Sequence, residues 1–117
     1  MTGYEKLDVW QKSMGLVTKV YVLVKLLPKE ETYALSDQIR RSAVSIPSNI
    51  AEGSSRNSKK EFIQFLYISL GSLCELETQI LIARNIGYIQ DITTIRAKTL
   101  QIKKMLNALI TSIKKSI

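Results

Sequence analysis

The chain has 117 residues and a formal net charge of +7, from 17 Lys and Arg against 10 Asp and Glu. That length fits one domain spanning residues 1–117, and 45% hydrophobic residues with five Gly and two Pro exclude a disordered chain. Histidine is absent, which removes the commonest general base, the commonest metal ligand and any serine–histidine or cysteine–histidine pair.

Cys74 is the single cysteine, so no intrachain disulfide is possible and a reducing, cytoplasmic location is expected, with the thiol in the core. The first ten residues lack the apolar block of a secretory signal. The longest uncharged run, Phe62 to Cys74, falls short of the roughly 20 apolar residues of a spanning helix, so no membrane association is expected.

From Asp8 to Leu27, Trp10, Met14, Val17, Tyr21 and Val24 recur at spacings of four and three, with Leu16, Val20, Leu23 and Leu27 widening the stripe. Asp8 is the expected N-cap, and Pro28 marks the end. A second helix begins between Thr32 and Ser36 and runs to about Glu52, with Leu35, Ile39, Ala43, Ile46 and Ile50 on one face. Gly53 is expected as its left-handed cap.

This second segment contains a conflict, because Pro47 lies inside the periodic run. An interior proline removes one backbone hydrogen bond and crowds the carbonyl of Ala43, at a cost of about 3 kcal/mol or more. Ser45, Ser48, Asn49 and Glu52 offer compensating polar groups. The expected role is architectural, a bend at Pro47 with Arg40 and Arg41 nearby and Arg41 paired to Glu75.

Ser58 and Glu61 form a capping box before the third segment, Ser58 to about Asn85. Phe62, Leu66, Ser69, Leu73, Leu76, Ile80 and Ala83 repeat four and three, and a second apolar set lies outside that stripe. Gly87 ends the segment. In the fourth, Ile92, Ile95, Thr99, Ile102, Leu106, Leu109 and Ile113 continue the spacing, with Leu100, Met105 and Ile110 in excess. Four such helices on short connections predict an all-α, antiparallel up-down-up-down four-helix bundle with a proline-kinked second helix. The surplus apolar surface of the third and fourth helices predicts a homo-oligomer.

No catalytic, metal or cofactor constellation is present. A diiron bundle needs Glu-x-x-His, and Gly53, Gly71 and Gly87 are too isolated for a phosphate loop. Glu75 and Glu77, two apart, point in different directions on a helix, and Glu75 is the candidate to face inward, with Arg40 or Arg41 as its cationic partner. The chain therefore reads as a non-enzyme.

Charge is the remaining functional signal. Between Ile92 and Ile117 stand Arg96, Lys98, Lys103, Lys104, Lys114 and Lys115, with no acidic residue. A one-sign helix face attracts nucleic-acid phosphates, acidic protein patches or lipid headgroups. Arg56, Lys59 and Lys60 add a second cluster at the start of the third helix, beside amides that favour anions.

Three stretches carry a specific resemblance: Tyr4 to Lys12 (YEKLDVWQK), Leu27 to Glu31 (LPKEE) and Gln38 to Gly53 (QIRRSAVSIPSNIAEG). Together with Lys59 to Phe62 and Gly71 to Thr78 (GSLCELET), they resemble the bacterial four-helix bundle proteins encoded in intervening sequences of 23S ribosomal RNA genes. The resemblance covers roughly residues 4–89. It implies a ring, with five copies as the family's number. The accessory variability determinant of diversity-generating retroelements resembles this family in fold; by that analogy the chain would bind nucleic acid through a basic surface and partner a reverse transcriptase. The expected function is a non-enzymatic, oligomeric, nucleic-acid-binding protein. Its rival is a structural adaptor ring for protein partners.

Overall fold

In a computed structural model, residues 3–117 are described, and they form four helices with no strand among them. Helix α1 spans Asp8–Val24, α2 Leu35–Ser54, α3 Lys59–Ile86 and α4 Thr93–Lys115. Short 3₁₀ turns at Gly3–Lys6 and Lys29–Glu31 precede α1 and α2. Each helix packs on its chain neighbours and α4 returns to α1, giving an elongated bundle of 46 × 23 × 23 Å.

Cross-helix hydrogen bonds fix the directions. Ser42 Oγ donates to Gln79, Ser45 and Ser72 share a hydroxyl hydrogen bond, and Ser69 Oγ donates to the Ile46 carbonyl. Rising numbers on α2 thus meet falling numbers on α3. The same reversal joins α3 to α4, where Lys103 meets Glu77, Lys114 meets Tyr67 and Lys59 meets Ser116.

The core of α2, α3 and α4 follows the four-three pattern closely. Ile39, Ala43, Ile46 and Ile50 meet Leu66, Leu73, Leu76 and Ile80, with Ile102 and Leu106 completing the layers. On α1 the buried stripe is instead Val9, Ser13, Leu16, Val20 and Val24. Trp10, Met14, Val17 and Tyr21 lie on its flank toward α2, and Met14 and Tyr21 are exposed. Ser13 disguises the true stripe; its hydroxyl donates to the Val9 carbonyl at 2.7 Å, so burial leaves no polar group unmatched.

Pro47 is buried, and α2 continues through it. Three side chains donate to carbonyls in the preceding turn. Ser48 reaches Val44 at 2.7 Å, Asn49 reaches Ser45 at 2.8 Å and Ser69 reaches Ile46 at 2.9 Å. Ser45 serves mainly to bridge toward Ser72, while Glu52 pairs with Arg56.

Gly53 is not a left-handed cap, because α2 runs on to Ser54 and only Gly3 and Gly87 have positive φ among the described residues. Its role is close approach: a Cβ at position 53 would stand 2.6 Å from Phe65 Cβ. Leu7, not Asp8, occupies the N-cap position of α1, so the Asp8 carboxylate stands one residue too late to cap it. Ser58 accepts the amide of Glu61 as expected, and Gly87 closes α3 at φ 102° with its amide on Ala83.

Cys74 is exposed, since it falls on the outer side of α3 beyond both buried rows. Helix α3 is by length and composition apolar enough to cross a membrane. Here it packs between α2 and α4 and buries Leu66, Leu73, Leu76 and Ile80, as the central helix of a bundle does.

Candidate nucleic-acid interface

The basic residues of α4 do not share one face. Their positions within the 3.6-residue period send Arg96, Lys103 and Lys114 toward α3, Lys104 and Lys115 outward, and Lys98 toward α1. Arg96 and Lys98 lie at one end of the bundle and Lys114 and Lys115 at the other, about 27 Å apart along the helix.

Lys103 is committed within the fold. Its Nζ donates to Glu77 Oε1 at 2.8 Å, and the Thr99 hydroxyl donates to Glu77 Oε2 at 2.9 Å. Glu77 is the inward-facing carboxylate, with a side chain 17% exposed. The hydrogen bond to Glu77 holds the Lys103 ammonium above the ordinary lysine pKa, against the desolvation of partial burial. This cation neutralises a protein carboxylate and is not free for a ligand.

Glu75 is exposed and has no ion pair with Arg41, which pairs instead with Asp37 at 2.9 Å, one turn away. Both line the same polar groove between α2 and α3, together with Ser42, Ser45, Ser72 and Gln79. An i,i+4 partner on the same helix is reached at lower entropic cost than one across the groove. Arg40 donates to the Thr32 carbonyl at 3.0 Å and ties α2 to the connection before it.

Antiparallel packing joins the two basic clusters that the sequence separates by more than 50 positions. Arg56, Lys59 and Lys60 at the α2–α3 connection stand at the same end as Lys114 and Lys115. Lys59 Nζ donates to the Ser116 carbonyl at 3.2 Å. A lysine at the positive end of α3 is ordinarily unfavourable, but the carbonyl end of α4 beside it offsets that repulsion. The nearby carboxylates are Glu5 and Asp8 before and at the start of α1, Glu52 on α2 and Glu61 on α3. Glu52 is taken by Arg56 at 2.6 Å, leaving cations in excess.

Two aromatic rings accompany these cations. The Arg56 guanidinium lies 5.1 Å from the Phe65 ring centre, and Lys114 Nζ lies 5.3 Å from the Tyr67 ring centre, beyond the hydroxyl to which it donates at 2.8 Å. Tyr67 stands outside the basic runs of the sequence. The signal was its place two turns beyond Lys60, on the same strip of α3.

The opposite end has mixed charge. Asp91, Glu30 and Glu31 interleave with Lys25, Lys29, Arg84, Arg96 and Lys98 there. Asp91 accepts the Thr93 amide at 2.9 Å, which lowers its pKa, and Glu31 accepts the Tyr88 hydroxyl at 2.9 Å, which raises that of the phenol. No group of three His, Cys, Asp or Glu able to hold a metal ion occurs among the described residues.

Fold and surface together define a small all-α four-helix bundle with a cation-rich end. The model of the 23S rRNA-intervening sequence protein family matches residues 5–108, and the chain belongs to that family. It is also similar to a protein of unknown function from the S23 ribosomal protein family of Bacteroides thetaiotaomicron VPI-5482. That crystal structure aligns at a TM-score of 0.80 with 30% identity, covering 88% of this chain and 95% of the other. No curated protein matches the chain.

Proposed function

We propose that the protein is a non-enzymatic, oligomeric bundle that holds RNA or DNA by its phosphates with little sequence specificity. The observation supporting this is the convergence of Arg56, Lys59, Lys60, Lys114 and Lys115 at one end. Lysines act on phosphate as point charges, and phosphate contacts give affinity without reading bases. Self-association rests on exposed apolar side chains, including Tyr21, Val22 and Leu26 on or just after α1, Ile68 and Ile82 on α3, and Leu100 on α4. Five copies, the number the resemblance implies, would multiply weak contacts through avidity.

Neutralising four or five phosphates should give an affinity that falls about 50- to 130-fold on a single strand, and about 150- to 500-fold on a duplex, between 50 and 200 mM salt. Anisotropy titrations of a labelled oligonucleotide measure this directly. Affinity independent of salt would refute the reading. The rival, a structural adaptor with nucleic acid incidental, draws on the apolar groove between α1 and α2, lined by Trp10, Met14, Val17, Val44, Pro47 and Ala51. An oligomer that binds no nucleic acid at 50 mM salt would favour it.

A further inference from the structure

We infer that the cation-rich end binds single-stranded rather than duplex nucleic acid, with Tyr67 as the platform on which a base stacks. This deepens the phosphate-binding reading and rests on it. Tyr67 is 47% exposed on the outer side of α3, so its ring is open to a ligand. Lys60 precedes it by two turns on the same strip, and Lys114 of α4 flanks it through the hydroxyl hydrogen bond. An exposed ring with Lys114 at its hydroxyl offers one base a stacking surface and a neighbouring phosphate a counter-charge, with Lys60 two turns back on the same strip.

Gly71 is compatible with the assignment; like Gly15 on α1, it stands in open space. It lies one turn beyond Tyr67, on an exposed side of α3, and a Cβ there would meet no atom within 4 Å. Packing within this chain therefore does not require glycine, although glycine is the poorest helix former after proline. A helical side chain covers the turn before its own, so any larger residue at position 71 would spread toward Tyr67. Glycine leaves that approach open.

The distribution of charge argues against insertion of α4 into a duplex groove. Groove entry needs a helix with a continuous basic face, whereas the cations of α4 point in three directions and Lys103 is held by Glu77. In a duplex the bases are stacked on one another and closed to a surface ring; unpaired bases are available to it.

The test uses a labelled 15-nucleotide single strand of mixed sequence, as RNA and as DNA, and the corresponding duplexes. The wild type should bind single strands at least tenfold more tightly than duplexes. Tyr67→Ala should weaken single-strand binding by about 5- to 150-fold and leave duplex binding within twofold. Tyr67→Phe, which keeps the ring, should stay close to wild type. Gly71→Leu should reproduce the Tyr67→Ala loss while melting no lower than wild type. Equal affinity for single strand and duplex, with both weakened alike by Tyr67→Ala, would overturn the stacking role and leave phosphate binding standing. Absence of binding to every probe would overturn both.

Discussion

Replacing Lys103 with Met separates a structural cation from a ligand-binding one. The substitution leaves the largely buried Glu77 with Thr99 as its remaining hydrogen-bond partner across the helix interface. A hydrogen bond to a charged group contributes about 1.5–3 kcal/mol when shielded, and an exposed pair less than about 1 kcal/mol. The Lys103 side chain is 34% exposed and that of Glu77 17%, so screening by water reduces the loss to about 1–2 kcal/mol. For a domain of this size that is a fall in Tm of about 4–8 °C.

The same pair fixes a pH dependence. Lys103 is held above 10.5, chiefly by its hydrogen bond to Glu77. A raised folded-state pKa gives stability that is complete below 10.5 and disappears as pH rises through the folded value. The gap in Tm between wild type and Lys103→Met should therefore be constant from pH 7 to about 9 and close above about 10.5. Circular dichroism melts across that range measure it. The double variant Glu77→Leu/Lys103→Met should recover most of the lost stability, because replacing both partners leaves no unmatched charge. An unchanged Tm accompanied by lost oligonucleotide binding would refute the assignment of Lys103 to the fold.

Asn49→Leu removes the hydrogen bonds to the Ser45 carbonyl and hydroxyl, at 2.8 and 2.9 Å. With a small gain in helix propensity set against them, the net loss should be about 1 kcal/mol, read from the urea midpoint at constant m. An unmoved midpoint would contradict the proposed support around Pro47. Gly53→Ala and Gly71→Ala make the same chemical change and should act in opposite directions. The first forces Cβ against Phe65 and should lose about 1–2 kcal/mol, while the second meets open space and should gain up to about 1 kcal/mol. Equal effects in thermal melts would show that α2 and α3 do not approach as closely at Gly53 as described.

The helices and three of the four core stripes were legible because the four-three spacing is long and uninterrupted on α2, α3 and α4. The stripe of α1 was misplaced by one position because Ser13 breaks its hydrophobic pattern, while Trp10 and Tyr21 supply a more conspicuous one along the flank. Gly53 suited a helix cap by its position after Glu52. Its actual role depends on how near Phe65 lies, which is a property of packing between helices. Arg41 has two acidic groups within range of the same surface, and sequence spacing alone does not choose between Asp37 and Glu75.

At the candidate interface the cations were identifiable, but their grouping was not. Six basic residues on one predicted helix suggested one face, whereas the period of the helix disperses them. The convergence of Lys59 with Ser116 requires the antiparallel register of α3 and α4. The commitment of Lys103 likewise depends on which of Glu75 and Glu77 turns inward.

The central claim, that the end carrying Lys60, Lys114 and Lys115 holds nucleic acid, is tested most directly by reversing charge there. The triple variant Lys60→Glu/Lys114→Glu/Lys115→Glu is titrated against labelled RNA and DNA beside Arg96→Glu/Lys98→Glu, which alters the far end of α4. The account predicts that the triple variant loses binding at 50 mM salt and that the far-end variant retains it. Equal binding by the triple variant and the wild type would contradict it.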